Sequence, residues 1–205
     1  MKTTLKQPLP LIYPVPIVLA GTMVDGTPNY VTIGDTGLMG IKPPLVFISS
    51  HVNHHTNTGI LLNQTFSINL PTTSMLAAVD YCGIVSGADV DKSALFTNFF
   101  GELETAPMIE ECPVNLECKL VKKFSIEHRQ VFVGEVNTTY IESQLLIHEG
   151  ERVSLPSLSA LNPILYALDN HYYQTGPEIG LGYHEGQKLV ESSQPAYKKV
   201  RPHKS

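Results

Sequence analysis

Short runs that alternate apolar with polar residues recur along the chain, and a period of two is the mark of half-buried β-strands. Val114 to Leu120 alternates most cleanly. Val114, Leu116, Cys118 and Leu120 are expected to face a core, and Asn115, Glu117 and Lys119 to face water. Phe66 to Leu70 repeats the pattern, with one face buried and one wet. Ile17 to Val24 is apolar and rich in branched residues, Asp25-Gly26-Thr27-Pro28 has turn chemistry, and Tyr30 to Ile33 resumes a strand. This predicts a hairpin, because Gly26 tolerates positive φ. Gly34, Gly37 and Gly40 read as a loop closed by Pro43-Pro44, before the strand Leu45 to Ser49. Gln130 to Ile141 and Leu145 to Ile147 complete the predicted strands.

Predicted helices are few and short. Thr56 to Asn63 is one, capped by Thr56 or Asn57; Met75 to Asp80 is another, capped by Thr73 or Ser74 and stopped by Gly83. Asn162 to Leu168 is a third, with Pro163 in its first turn. Ser86 to Asp91 reads as a polar loop, with Asp91 capping a turn over Lys92 to Phe96. Strands outnumber helices and no repeat is visible. The pattern points to a single, mainly β barrel or sandwich with helical insertions.

Composition narrows the class. Of 205 residues, 42% are hydrophobic and 16% charged, which supports a packed core rather than disorder. The net charge of −5 is concentrated in the body, because Lys198, Lys199, Arg201 and Lys204 lie in the last fifteen residues. An acidic body repels phosphate backbones, so no nucleic-acid partner is expected. The expected organisation is one domain over residues 1–190 and a flexible basic tail over 191–205. Cys82, Cys112 and Cys118 are odd in number and lack C-x-x-C spacing, which favours reduced thiols and a cytoplasmic protein. The apolar run Leu9 to Ala20 is broken by Pro10, Pro14 and Pro16, and no long apolar stretch suggests a membrane span.

Candidate chemistry centres on a histidine cluster. His51 and His55 have the i, i+4 spacing of a zinc-protease helix, but Val52 stands where that motif requires Glu. No carboxylate lies between Ser49 and Gln64 to complete a hard-metal site, and none is assigned. Ser49-Ser50-His51-Val52-Asn53-His54-His55-Thr56 instead collects hydroxyls, an amide and imidazoles between a strand end and a helix start. Such groups hold phosphate through charge-assisted bonds and free helix N–H groups. The same residues also make a polar loop with a capping Thr, and spacing alone does not choose. The segment Asp80 to Ser93 is a second candidate loop. There Lys92 either meets an anionic ligand or pairs with Asp89 or Asp91, and Cys82 is a structural thiol.

Several blocks together resemble one family. They are Pro28-Asn29-Tyr30-Val31-Thr32-Ile33-Gly34, Lys42-Pro43-Pro44, Phe66-Ser67-Ile68-Asn69-Leu70-Pro71, and Asp80-Tyr81-Cys82-Gly83 with Ser86-Gly87 and Asp91-Lys92-Ser93. Gly101-Glu102-Leu103, Thr105 to Ile109, Glu111-Cys112-Pro113, Val133-Gly134-Glu135-Val136 and Tyr172-Tyr173 near Gly176 follow in order. Over residues 10 to 190 the chain resembles the flavin reductase-like family of FMN-binding split-barrel proteins, in the branch that includes flavoredoxins.

The resemblance implies a homodimer of six-stranded Greek-key barrels with a few short helices, each binding FMN. By position, the main chain of Thr32, Ile33, Gly34, Asp35 and Thr36 would line the flavin ring. Ser49, Ser50, His51, Asn53, His54 and Thr56 would hold its phosphate, and Lys92 would reach the flavin from the next loop. The implied activity is an oxidoreductase that takes hydride from NAD(P)H and passes electrons to free flavin, ferric iron or a redox protein. The alternative is an FMN electron carrier reduced by another protein. No side chain is assigned as a catalytic acid or base, because the flavin carries the chemistry. His171 and Tyr172 lie in a segment that either approaches the flavin or packs as a C-terminal turn. One departure stands out. Many relatives have Trp where this chain has Asp35. A carboxylate there would either disfavour anionic reduced flavin or turn away to cap local backbone.

Overall fold

The structure, a computed structural model, describes residues 2–149 and 152–187. The chain divides into two compact units, Met1–Thr175 and Gly176–Ser205. In the second unit, the described residues from Gly182 to Gly186 form turns. The predicted basic tail lies outside the described residues.

The first unit is mainly β. Its strands are β1 (Val15–Pro16), β2 (Val18–Val24), β3 (Thr27–Ile33), β4 (Thr36–Gly40), β5 (Leu45–His51), β6 (Thr65–Leu70), β7 (Asn98–Phe99), β8 (Met108–Ile109), β9 (Val114–Ile126), β10 (Arg129–Ile141), β11 (Ile147–Glu149), β12 (Arg152–Ser154), β13 (Leu165–Ala167) and β14 (His171–Tyr173). Its helices are α1 (Thr56–Asn63), α2 (Leu76–Ile84) and α3 (Leu158–Leu161). No helix among the described residues is long and apolar enough to cross a membrane.

Seven antiparallel strands form the main sheet in the order β3-β2-β6-β9-β10-β5-β4. The sheet curls on itself, because Val31 and Ile33 of β3 share one core with Val46 and Ile48 of β5 and with Phe66, Cys118 and Phe132. This is the expected split-barrel class. The extra strand is β4, formed by residues expected to be a loop. Its glycines permit pairing with β5: Gly37 lies opposite Phe47, where a Cβ would approach that ring at 3.1 Å.

A second core lies on the outer face of β2 and β3. There Leu19 and Tyr30 pack with Val79 and Cys82 of α2, Ile109 and Ile164. Period-two alternation assigns β2 to both cores, with Val18 and Ala20 inward and Leu19, like Ile17 just before the strand, outward. The β2–β3 turn is Asp25-Gly26, with φ of 49° and 80° as a tight hairpin demands.

Three local expectations are corrected. First, α2 continues through Gly83 to Ile84, where a Cβ at Gly83 would make only an ordinary 3.5 Å contact with Thr32. Second, the predicted helix over Asn162 to Leu168 is replaced by β13, which pairs with both β1 and β14; the helical turn falls earlier, in α3. Third, the polar faces of β6 and β9 are buried: Ser67, Asn69, Asn115 and Glu117 are each less than 5% exposed. The segment from Asn98 to Ile109 covers them. Asn69 Oδ1 accepts from Ile109 N–H at 3.1 Å, and Asn115 Nδ2 donates to Asn69 Oδ1 at 2.8 Å and to the Ile109 carbonyl at 2.9 Å. Glu117 Oε1 accepts the Leu103 N–H at 2.7 Å. Alternation reports which residues share a face, but not what covers that face.

Candidate functional site

β5 carries the predicted anion-binding residues to the barrel end. Its alternation turns Val46, Ile48 and Ser50 inward. Buried Ser50 has its hydroxyl 2.9 Å from His54 Nδ1. His51 Nδ1 accepts the Asn53 N–H at 3.3 Å, and the His51 and His54 rings lie 6.0 Å apart. Asn57 Nδ2 donates to the His51 carbonyl at 2.8 Å and pins the loop between β5 and α1. These bonds bring Ser50, His51 and His54 together; Asn53 is exposed.

The start of α1 differs from the expectation. His55 occupies the cap position without a side-chain bond, and Thr56 is the first helical residue. The Thr56 hydroxyl is buried and accepts from Asn29 Nδ2 at 2.6 Å. The N–H groups of Asn57 and Thr58 turn back to the His54 and His55 carbonyls. The helix therefore presents fewer free donors than its sequence implies.

Residues from β3 into β4 line a neighbouring cavity of ≈ 660 Å³, within the range of small-molecule sites. Thr32, Gly34, Asp35 and Thr36 form one wall, Gly83 and Ile84 another, and Phe47, Tyr166 and Tyr172 supply aromatic surface. Ile33, between Thr32 and Gly34, is a core residue and is not among the lining residues. Thr32 Oγ1 donates to the Val79 carbonyl at 2.5 Å, and Thr36 Oγ1 to the Phe47 carbonyl at 2.7 Å. Tyr172 does reach the cavity wall, where its hydroxyl donates to Asp80 at 2.7 Å; burial is the main cause that pushes its pKa up to about 12. His171 is exposed and bonded to the Asp169 carbonyl.

The Asp35 side chain lies on the cavity wall rather than capping local backbone. Its carboxylate pairs with Arg129 at 2.8 Å, while its backbone carbonyl accepts the Ser49 N–H at 2.7 Å. Arg129 is the residue that the sequence pattern left unmarked. Strand register sets it opposite His51, one residue before the strand start expected at Gln130. Arg129 thus connects the cavity to the histidine cluster.

Lys92 lines a second cavity of ≈ 370 Å³, with Asn29 and His55. Its ammonium is buried and donates to the Cys82 and Val85 carbonyls, each at 3.2 Å, rather than pairing with Asp89 or Asp91. Asp91 instead caps Ser93, as its position predicts. Burial holds the Lys92 pKa below its ordinary value. Burial likewise lowers His54, followed by the charges of His51, Arg129 and Lys92. Cys82 is pushed up to about 11 by burial, which keeps it an inert thiol.

Hydroxyl, imidazole and guanidinium groups beside an aromatic-walled cavity form a donor set that fits a phosphate joined to a flat ring. The model of the flavin reductase like domain matches residues 11–174. The chain belongs to this family. Its fold is similar to that of a flavoredoxin from Methanosarcina acetivorans, at 37% identity and a TM-score of 0.86 over 92% of this chain and all of that one. A flavoredoxin of Desulfovibrio vulgaris (Miyazaki F) is 29% identical, with a TM-score of 0.81 over 91% of this chain and all of that one. An uncharacterized protein of Archaeoglobus fulgidus is 28% identical over 66% of this chain and 77% of its own length.

Proposed function

We propose that this chain binds FMN and acts, as a homodimer, as an NAD(P)H-dependent oxidoreductase of flavin reductase type. Free flavin, ferric iron or a redox protein would take the electrons. The observation that carries this reading is that Arg129 lines the ≈ 660 Å³ cavity and, across the β5–β10 register, lies opposite His51 of the Ser50–His51–His54 cluster. Main-chain groups from Thr32 to Thr36 would line the ring, and Ser49, Ser50, His51, Asn53, His54 and Thr56 would form the phosphate end. Lys92 serves the site from behind: it holds the end of α2, which places Gly83 and Ile84 on the cavity wall. Bound flavin supplies hydride acceptance and electron transfer. The chain's own residues orient the ligand, exclude water and offset its charge.

Similarity to flavoredoxins supports a second reading, an FMN electron carrier reduced by another protein. Two measurements separate the readings. The visible spectrum of the purified protein should show bound flavin under either reading, and a colourless protein that takes up no added FMN refutes both. Oxidation of NADH or NADPH with added free flavin should then proceed under the first. No turnover with either donor leaves the carrier.

A further inference from the structure

Among the described residues lining the larger cavity, Arg129 is the only Lys or Arg, and its guanidinium rests on Asp35. Both side chains are about half exposed, at 49% and 54%. Water re-solvates both charges when such a pair opens, so the pair is cheap to break. A phosphate offers the guanidinium fork the same two-oxygen geometry as a carboxylate but more negative charge. Arg129 is the cross-strand partner of His51, whose ring lies 6.0 Å from that of His54. Its charge also reaches His54. Asp35 is held beside this cluster because its own carbonyl bonds Ser49 N–H at 2.7 Å.

We propose that Asp35 is an exchangeable counter-ion for Arg129, and that the phosphate of the bound ligand takes Arg129 from it. The Asp35–Arg129 pair then sets the preference for a phosphorylated over an unphosphorylated flavin. This rests on the flavin-binding reading above. While the ligand is absent, Asp35 offsets the cation on the cavity wall. When phosphate arrives, one ion pair replaces another, and Asp35 is released to water.

The test is a titration of wild type, D35N, R129Q and the double variant with FMN and with riboflavin. R129Q should weaken FMN about tenfold, by loss of a charge-assisted bond, and leave riboflavin unchanged. D35N should strengthen FMN about two- to fivefold, the worth of an exposed pair, again without affecting riboflavin. The D35N gain should vanish in the R129Q background. A gain that persists there shows simple repulsion by Asp35 and overturns the exchange. An unchanged FMN-to-riboflavin ratio in R129Q overturns it as well. Wild type that binds both flavins with no dependence on Arg129 removes only the exchange, whereas wild type that binds neither removes the flavin reading with it.

Discussion

The Lys92 ammonium donates to the Cys82 carbonyl at 3.2 Å, and so a buried cation caps the last turn of α2. The final carbonyls of a helix have no partner within it, and the negative end of the helix favours a cation. Lys92→Met would strand the Cys82 and Val85 carbonyls at little change in volume. The expected cost is about 1–3 kcal/mol, read as a fall of roughly 2–4 °C in Tm for each kcal/mol. Flavin retention should weaken too, because Gly83 and Ile84 shift with the helix end. Unchanged Tm in thermal denaturation would remove this cap from the account.

Asn29 ties β3 to the start of α1 through its bond to the Thr56 hydroxyl. Either Asn29→Ala or Thr56→Val leaves a buried polar group unpaired, at about 1–2 kcal/mol each. Their double variant should lose clearly less than the sum, since one bond is shared. Gly87→Ala offers an independent route to the same bond: a Cβ at Gly87 would overlap the Asn29 amide. Urea denaturation of these variants measures the coupling.

His54 makes stability depend on pH. Its folded pKa lies below the ordinary 6.5, chiefly through burial and then through the nearby charges of His51, Arg129 and Lys92. As pH falls through about 6.5 the unfolded chain takes up the proton first. Stability from neutral His54 is therefore present above that pH and is lost as pH falls through the folded value. His54→Gln cannot titrate and should show a shallower loss. Parallel denaturant titrations of both proteins at neutral and mildly acidic pH test the sign; identical slopes would refute it.

Glu117 anchors the covering segment by accepting the Leu103 N–H at 2.7 Å. Glu117→Gln keeps an acceptor at that position and should be tolerated better than Glu117→Leu, which leaves the amide unpaired. The Leu variant should lose about 1.5–3 kcal/mol, the range for a bond to a charged group. Hydrogen exchange at Leu103 should accelerate in the Leu variant. Equal protection in the two variants would show that the carboxylate does not hold this segment.

The β-rich class, the β2–β3 hairpin, α1 and the Asp91 cap were all legible along the chain, because each rests on residues within a few positions of one another. Two glycine-bearing segments were misread because glycine was taken as a breaker. Gly83 stays helical beside Thr32, which is remote in sequence, whereas the β4 glycines pair with β5, the next strand along the chain. The Asn162 to Leu168 segment failed because its pairing with β1 spans most of the unit.

The sequence by itself determined the alternating strands, structural roles for Cys82 and Cys118, and a cluster of phosphate-compatible donors from the end of β5 to the start of α1. Only the tertiary structure decided which charges meet. Strand register across β10 and β5 set Arg129 opposite His51, and the β3–β4 bend placed Asp35 against it. The burial of Glu117 was also decided there, by a segment folded over its strand. Periodicity is a local property of one strand, whereas ion pairing and burial depend on distances between strands that no single segment encodes.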